Sequence, residues 1–190
     1  SDGEKSHTCN AFGISSERPM IGFCPGAEFG PAKRWPHYHY AALAKKLIDD
    51  GYQIALFGSA KDNEAGKEII ASLSSEQQAW CRNLAGETQL EQAVILIAAC
   101  KAVVTNDSGL MHVAAALDRP LVALYGPSSP DFTPPLSHKA RVIRLITGYH
   151  KVRKGDAAEG YHQSLIDITP ERVLQELNEL LAEKTEHEEA

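Results

Sequence analysis

The residues in this chain best suited to chemistry sit together at Asn106, Asp107, Ser108 and Gly109, within the run TNDSGLMHVAAAL. They are turn and helix-cap types, and they interrupt a short apolar, β-branched run from Ala102 to Thr105. Leu110, Val113, Ala114 and Leu117 then recur at helical spacing, which predicts a helix starting near Gly109. In a parallel α/β sheet such a strand-to-helix turn lies at the carboxyl edge, where ligands bind. The helix N-terminus turns unpaired N–H groups and the positive end of its dipole toward that edge, so an anion such as phosphate is the natural guest. A carboxylate beside it, Asp107, suits a ligand that donates hydroxyl protons. Phosphate combined with a polyhydroxyl group describes a nucleotide-sugar. The same residues also fit a simpler role, with Asp107 or Ser108 capping the helix. On this turn alone the two readings are even.

The elements that must position this turn can be followed along the chain. Residues 1–18 are polar and are expected to be an irregular linker or tail. Its opening, SDGEKSHTCN, has no initiator Met and reads as a cut inside a longer protein. Residues 19–24 form the first expected strand, followed by a Gly/Pro loop, PGAEFGPAKRWP. Pro36 suits the first position of the next helix, which carries Tyr40, Leu43, Ala44, Leu47 and Ile48 inward and ends at Gly51. Further strands are expected at 53–57, 82–84, 102–105, 121–125 and 140–146. Helices are expected near 62–73, 90–100 and 109–117, and at 170–181 behind the Thr169 cap. Successive strand-then-helix passages with short loops predict a doubly wound parallel sheet over 19–182. Residues 147–164 read as a long loop, and 183–190 as a charged, frayed tail.

Composition narrows the function. The 190 residues are 43% hydrophobic and 23% charged, as in an ordinary globular domain. A formal net charge of -6 argues against a nucleic-acid binder. The four cysteines, Cys9, Cys24, Cys81 and Cys100, form no CxxC pair; Cys24 and Cys100 sit in or beside apolar runs and are expected to be buried free thiols, which fits a reducing cytosol. His37-Tyr38-His39 is expected to be a solvated helix start, not a metal site. No apolar run approaches the roughly 20 residues needed to span a bilayer. The absence of G-x-G-x-x-G after the first strand disfavours a classical NAD dehydrogenase.

Three stretches together carry a resemblance: Phe23-Cys24-Pro25-Gly26-Ala27 with Lys33-Arg34-Trp35-Pro36, the turn Asn106 to His112, and Tyr125-Gly126-Pro127. In this order they resemble the bacterial heptosyltransferases of lipopolysaccharide core synthesis, glycosyltransferase family 9. The resemblance implies a Rossmann-like α/β fold, specifically the C-terminal, donor-binding half of a GT-B architecture. It implies ADP-heptose as donor, a lipopolysaccharide inner-core heptose as acceptor, and inversion at the anomeric carbon.

Carried over by position, Lys33 contacts phosphate and steadies the departing ADP, with Gly26 and Ala27 offering close backbone approach. Asp107 binds sugar hydroxyls. Ser108, Gly109 and Leu110 bring N–H groups to the diphosphate, and His112 assists the leaving group or else packs within the helix. Met111 lines the adenine pocket or belongs to the core. Arg34 is expected to face solvent and Trp35 to anchor packing. An acid near the second strand contacts the ribose in relatives; Asp62 and Glu64 are the nearest, each more simply an exposed helix-start carboxylate. Lys151, Arg153 and Lys154 form a basic loop that could face the phosphorylated acceptor. With no Asp-x-Asp, no metal cofactor is expected.

The family's base belongs to an N-terminal half that this chain lacks, so the chain is expected to bind donor without turnover. A cytoplasmic location, with peripheral contact at the inner membrane surface, follows. A nucleotide-sugar 2-epimerase half and a non-catalytic nucleotide-binding module are the alternatives.

Overall fold

The computed structural model describes residues 1–27, 30–127, 134–135, 137–146 and 158–189, the last seven of these by backbone alone save Glu183. Among the described residues six strands carry the fold: β1 (Met20–Cys24), β2 (Gln53–Leu56), β3 (Cys81–Asn83), β4 (Ala102–Asn106), β5 (Leu121–Tyr125) and β6 (Ala140–Arg144). All pair in parallel in the order β3-β2-β1-β4-β5-β6. The order reverses between β1 and β4, which makes their carboxyl ends the switch point of a doubly wound sheet.

The helices are α1 (Asp2–Ala11), α2 (His37–Asp49), α3 (Asn63–Ala71), α4 (Ser75–Gln78), α5 (Leu90–Ala98), α6 (Gly109–Ala116), α7 (Gln163–Ile166) and α8 (Pro170–Glu189). Strand residues alternate between two cores, as a pleated strand requires. Ile21, Phe23, Ile54, Leu56, Val104, Val122 and Leu124 meet α2, α3 and α8. Met20, Cys24, Ala55, Val103, Ala123 and Tyr125 meet α1, α5 and α6 on the other face. With both faces covered, β1, β2, β4 and β5 are buried along their whole length.

Several expectations change. Residues 2–11 are helical where an irregular linker was expected. Ser1 accepts a hydrogen bond from the Glu4 N–H at 3.2 Å, and the helix lies on α5 with Thr8 buried. The overlooked signal is Ser-x-x-Glu, a helix-start pattern on an otherwise polar sequence. The C-terminal helix continues to Glu189, past the expected boundary at 182, because AEKTEHEE is rich in good helix formers. Pro36 stands at the N-cap of α2 instead of its first turn. Within the expected 147–164 loop, Gln163–Ile166 forms α7; residues 147–157, including Lys151, Arg153 and Lys154, lie outside the described residues. No helix among the described residues is long and apolar enough to cross a membrane.

Candidate functional site

A cleft of about 410 Å³ opens at the switch point. Cys24, Gly26 and Ala27 line it from the loop after β1, and Gly58, Ser59, Lys61 and Asp62 from the turn after β2. Ser108, Gly109, Leu110 and Val113 line it from the start of α6, and exposed Leu90 stands at its edge. Five of the residues expected for the site, Gly26, Ala27, Ser108, Gly109 and Leu110, are thus brought together. Ser108 occupies the N-cap position, but its side chain makes no capping bond; its hydroxyl lies 3.3 Å from that of Thr105. The simple capping role for Ser108 is therefore not the one this geometry uses.

The other expected residues lie around that wall without lining it. Asp107 immediately precedes Ser108 and is half-buried. Lys33, also half-buried, ends a short 3-10 turn, Pro31–Lys33. His112 is exposed on α6, so packing within the helix is excluded as its role. Met111 is fully buried beneath α6, where it accepts the Tyr125 hydroxyl at its sulfur at 3.3 Å, and it belongs to the core.

Asp62 is the main correction. Its side chain is only 8% exposed, and Oδ2 accepts from the N–H and hydroxyl of Ser59 at 2.9 and 3.0 Å. Arg34, expected in solvent, turns inward with its Nη2 3.5 Å from Asp62 Oδ1. Neither Arg34 Nε nor Asp62 Oδ1 has a hydrogen-bond partner among the described residues. A buried carboxylate is costly without partners, and this one is held by the two Ser59 donors and the facing Arg34 guanidinium, which fixes a charged pair at the wall of the cleft. Two glycines make the room. A Cβ at Gly26 would fall 2.4 Å from Asp62 Cγ, and one at Gly58 2.7 Å from its Oδ2. Glu64, the other candidate acid, is exposed and 3.3 Å from Lys67.

Asn106 escaped the sequence reading as more than a turn former. It is fully buried, and its Oδ1 accepts from the Trp35 N–H at 3.0 Å and the Tyr40 hydroxyl at 2.8 Å. Its Nδ2 donates to the carbonyls of Pro25 at 2.7 Å and Gly26 at 3.2 Å. Trp35 is a packing anchor, as expected, with Nε1 donating to the Ile168 carbonyl at 2.8 Å. Burial pushes the Tyr40 phenol well above its usual range, which keeps it a donor.

Burial likewise pushes the Cys24 thiol up to about 12, with Thr105 pulling the other way and Asp62 adding to the rise. A thiol so held is no nucleophile at neutral pH. Cys24, Cys81 and Cys100 are buried and free, and Cys9 is free and half-buried.

The 37–39 segment is less solvated than expected. The Tyr161 hydroxyl lies 2.8 Å from His37 Nδ1, which is 3.3 Å from Glu68 and 3.8 Å from Glu159, and His39 Nε2 donates to the Ile166 carbonyl at 2.7 Å. No group of three or more His, Cys, Asp or Glu residues placed to hold a metal occurs among the described residues.

A six-stranded parallel sheet with a glycine-bordered crevice and a helix N-terminus at its switch point defines a Rossmann-like α/β domain. Residues 1–162 match glycosyltransferase family 9 (heptosyltransferase), and the chain belongs to that family. It is 86% identical over 184 residues to lipopolysaccharide heptosyltransferase 2 of Escherichia coli K12, covering 97% of this chain and 53% of that protein. Against lipooligosaccharide heptosyltransferase 2 of Haemophilus influenzae it is 70% identical over 170 residues, covering 89% of this chain and 49% of that protein. Among solved structures, E. coli ADP-heptose lps heptosyltransferase II superposes with a TM-score of 0.91 at 80% identity, covering 97% of this chain and 53% of that one. The E. coli heptosyltransferase WaaC with ADP-2-deoxy-2-fluoro heptose gives 0.65 at 26% identity, covering 92% and 47%. The chain spans about half the length of these relatives.

Proposed function

We propose that this chain is the donor-binding half of an inverting glycosyltransferase that moves heptose from ADP-heptose to the inner-core heptose of lipopolysaccharide. The observation that carries this reading is the switch-point cleft. It joins the α6 N-terminus, the close-approach loop at Gly26 and Ala27, and the Asp62 carboxylate paired with Arg34. A relative of 26% identity is described with an ADP-sugar analogue, which supports the donor class.

Transfer demands charge stabilisation on the leaving diphosphate and a base for the acceptor hydroxyl. In this reading Lys33 and the N–H groups of Gly109 and Leu110 take the growing negative charge, helped by the α6 dipole. Asp107 holds the sugar side, the Ser108 N–H joins those on the diphosphate, His112 assists from the rim, and Asp62 in place of Glu64 accepts from the ribose. No metal is assigned a role. The acceptor base is assigned to the part of the enzyme outside this chain, and Lys151, Arg153 and Lys154 to the face toward the phosphorylated acceptor. The enzyme works in the cytoplasm against the inner membrane surface.

Calorimetric titration with ADP, GDP and UDP tests the donor assignment. Selective ADP binding that weakens about tenfold in Lys33→Ala is expected, the scale of one charge-assisted contact. UDP preference would favour an epimerase-like half, and heptose transfer by the chain alone would refute the placement of the base elsewhere.

A further inference from the structure

We propose that Asn106 is the positioning residue of the donor site, holding both ends of the loop that follows β1 in register with the Asp107 turn. The proposal rests on the donor-binding reading above. Parallel pairing between β1 and β4 ends at Cys24 and Thr105, where β1 itself ends while β4 runs on to Asn106. Asn106 stands just past that last pair, and its amide bonds to the chain that leaves β1. Nδ2 reaches the Pro25 and Gly26 carbonyls, which fixes the loop whose N–H groups face the diphosphate. Oδ1 receives the Trp35 N–H, which fixes the segment two residues beyond Lys33, and the Tyr40 hydroxyl, which fixes the start of α2.

All four hydrogen-bonding positions of the amide are therefore used, in a site with no exposure to water. Its own backbone pairs with Leu124 on β5, so the anchor point is rigid. An apolar side chain could fill this space, but it would take the amide's bond from two carbonyls, the Trp35 N–H and the Tyr40 hydroxyl. The amide's value is geometric: one side chain sets the distances among Gly26, Lys33 and Asp107. Loss of that control should fall on the diphosphate, which the loops grip, and not on the nucleoside.

Titrating the wild-type chain and Asn106→Val with ADP and with adenosine tests this. The expected result is an ADP dissociation constant raised about tenfold or more, by the scale of one or two lost buried hydrogen bonds, with adenosine affinity unchanged within about twofold. Combining Asn106→Val with Lys33→Ala should cost less than the two separately, because the first already misplaces Lys33. Equal loss for ADP and adenosine, or no loss for either, overturns the positioning role. If Asn106→Val does not fold, Tyr40→Phe is read instead, with a smaller fall confined to ADP supporting the role and an unchanged or uniform response overturning it. If the wild-type chain binds no ADP, the donor reading fails and this proposal falls with it; normal wild-type binding that Asn106→Val leaves intact overturns the positioning alone.

Discussion

Gly26→Ala offers a direct test of how the cleft is packed. The added Cβ would stand 2.4 Å from Asp62 Cγ and Oδ1 and 2.6 Å from Oδ2, where ordinary contact begins at 3.4 Å. The carboxylate must therefore retreat by about 1 Å, which overpacks the site. It cannot do so freely, because Oδ2 is held by the Ser59 N–H and hydroxyl. Overpacking costs roughly 1–3 kcal/mol, and weakening a bond to a charged acceptor adds about 1 kcal/mol, so about 2–4 kcal/mol is expected. For a chain of this size that lowers the melting temperature by roughly 5–15 °C. In an Asp62→Ala background the obstructing atoms are gone, and Gly26→Ala should then cost less than about 1 kcal/mol. Urea unfolding of all four proteins, followed by far-ultraviolet circular dichroism, gives the coupling energy. Costs that add within about 0.5 kcal/mol would refute the steric argument.

Other outcomes follow from single contacts. Trp35→Phe removes the donor to the Ile168 carbonyl and should lower stability by about 1–3 kcal/mol, read as a lower urea midpoint at constant m; an unchanged midpoint contradicts this. In the folded protein at pH 7.5, Cys24 and Cys81, their thiols pushed up to about 12 by burial, should resist Ellman's reagent until unfolding, and fast labelling of either would show the burial to be wrong. The Arg141 guanidinium holds the Glu176 carboxyl below its ordinary range, joining β6 to α8. A carboxyl lowered in the folded state stabilises above that range, and the gain is lost as pH falls through its folded titration. Glu176→Gln should therefore be less stable near neutral pH, by at most about 1 kcal/mol for so exposed a pair. The gap should close on acidification, and a gap independent of pH would refute the assignment.

The elements around the candidate site were legible because strand-to-helix turns announce themselves through residue type. Asn106 to Gly109 interrupts an apolar run, and the helix that follows has clear periodicity; both appear where expected. Side-chain direction was far less legible. Asp62 and Arg34 look like surface residues in a polar stretch, and only the fold shows that two glycines, 32 positions apart by number, vacate the space the carboxylate fills. Met111 was ambiguous because an apolar residue at helical spacing fits either core or pocket, and the contact with Tyr125 resolves it. Helix α1 was hidden for the opposite reason: it buries little, so it lacks the apolar stripe by which helices are found.

The Asn106 bridge from β4 to the end of β1 has a bearing on how the molecule comes into being. The Asn106 amide meets carbonyls 80 and 81 residues earlier in the chain, so the two sides of the cleft are remote along the polypeptide. Closing so long a loop carries an entropic cost that must be met before any contact across the junction helps. During synthesis, β1, α2 and β2 emerge and can associate while their ligand edge still lacks its opposite wall. On the proposed donor-binding reading, nucleotide affinity should therefore arise late and abruptly as the second half docks, which makes it a more discriminating reporter of completed folding than helix content.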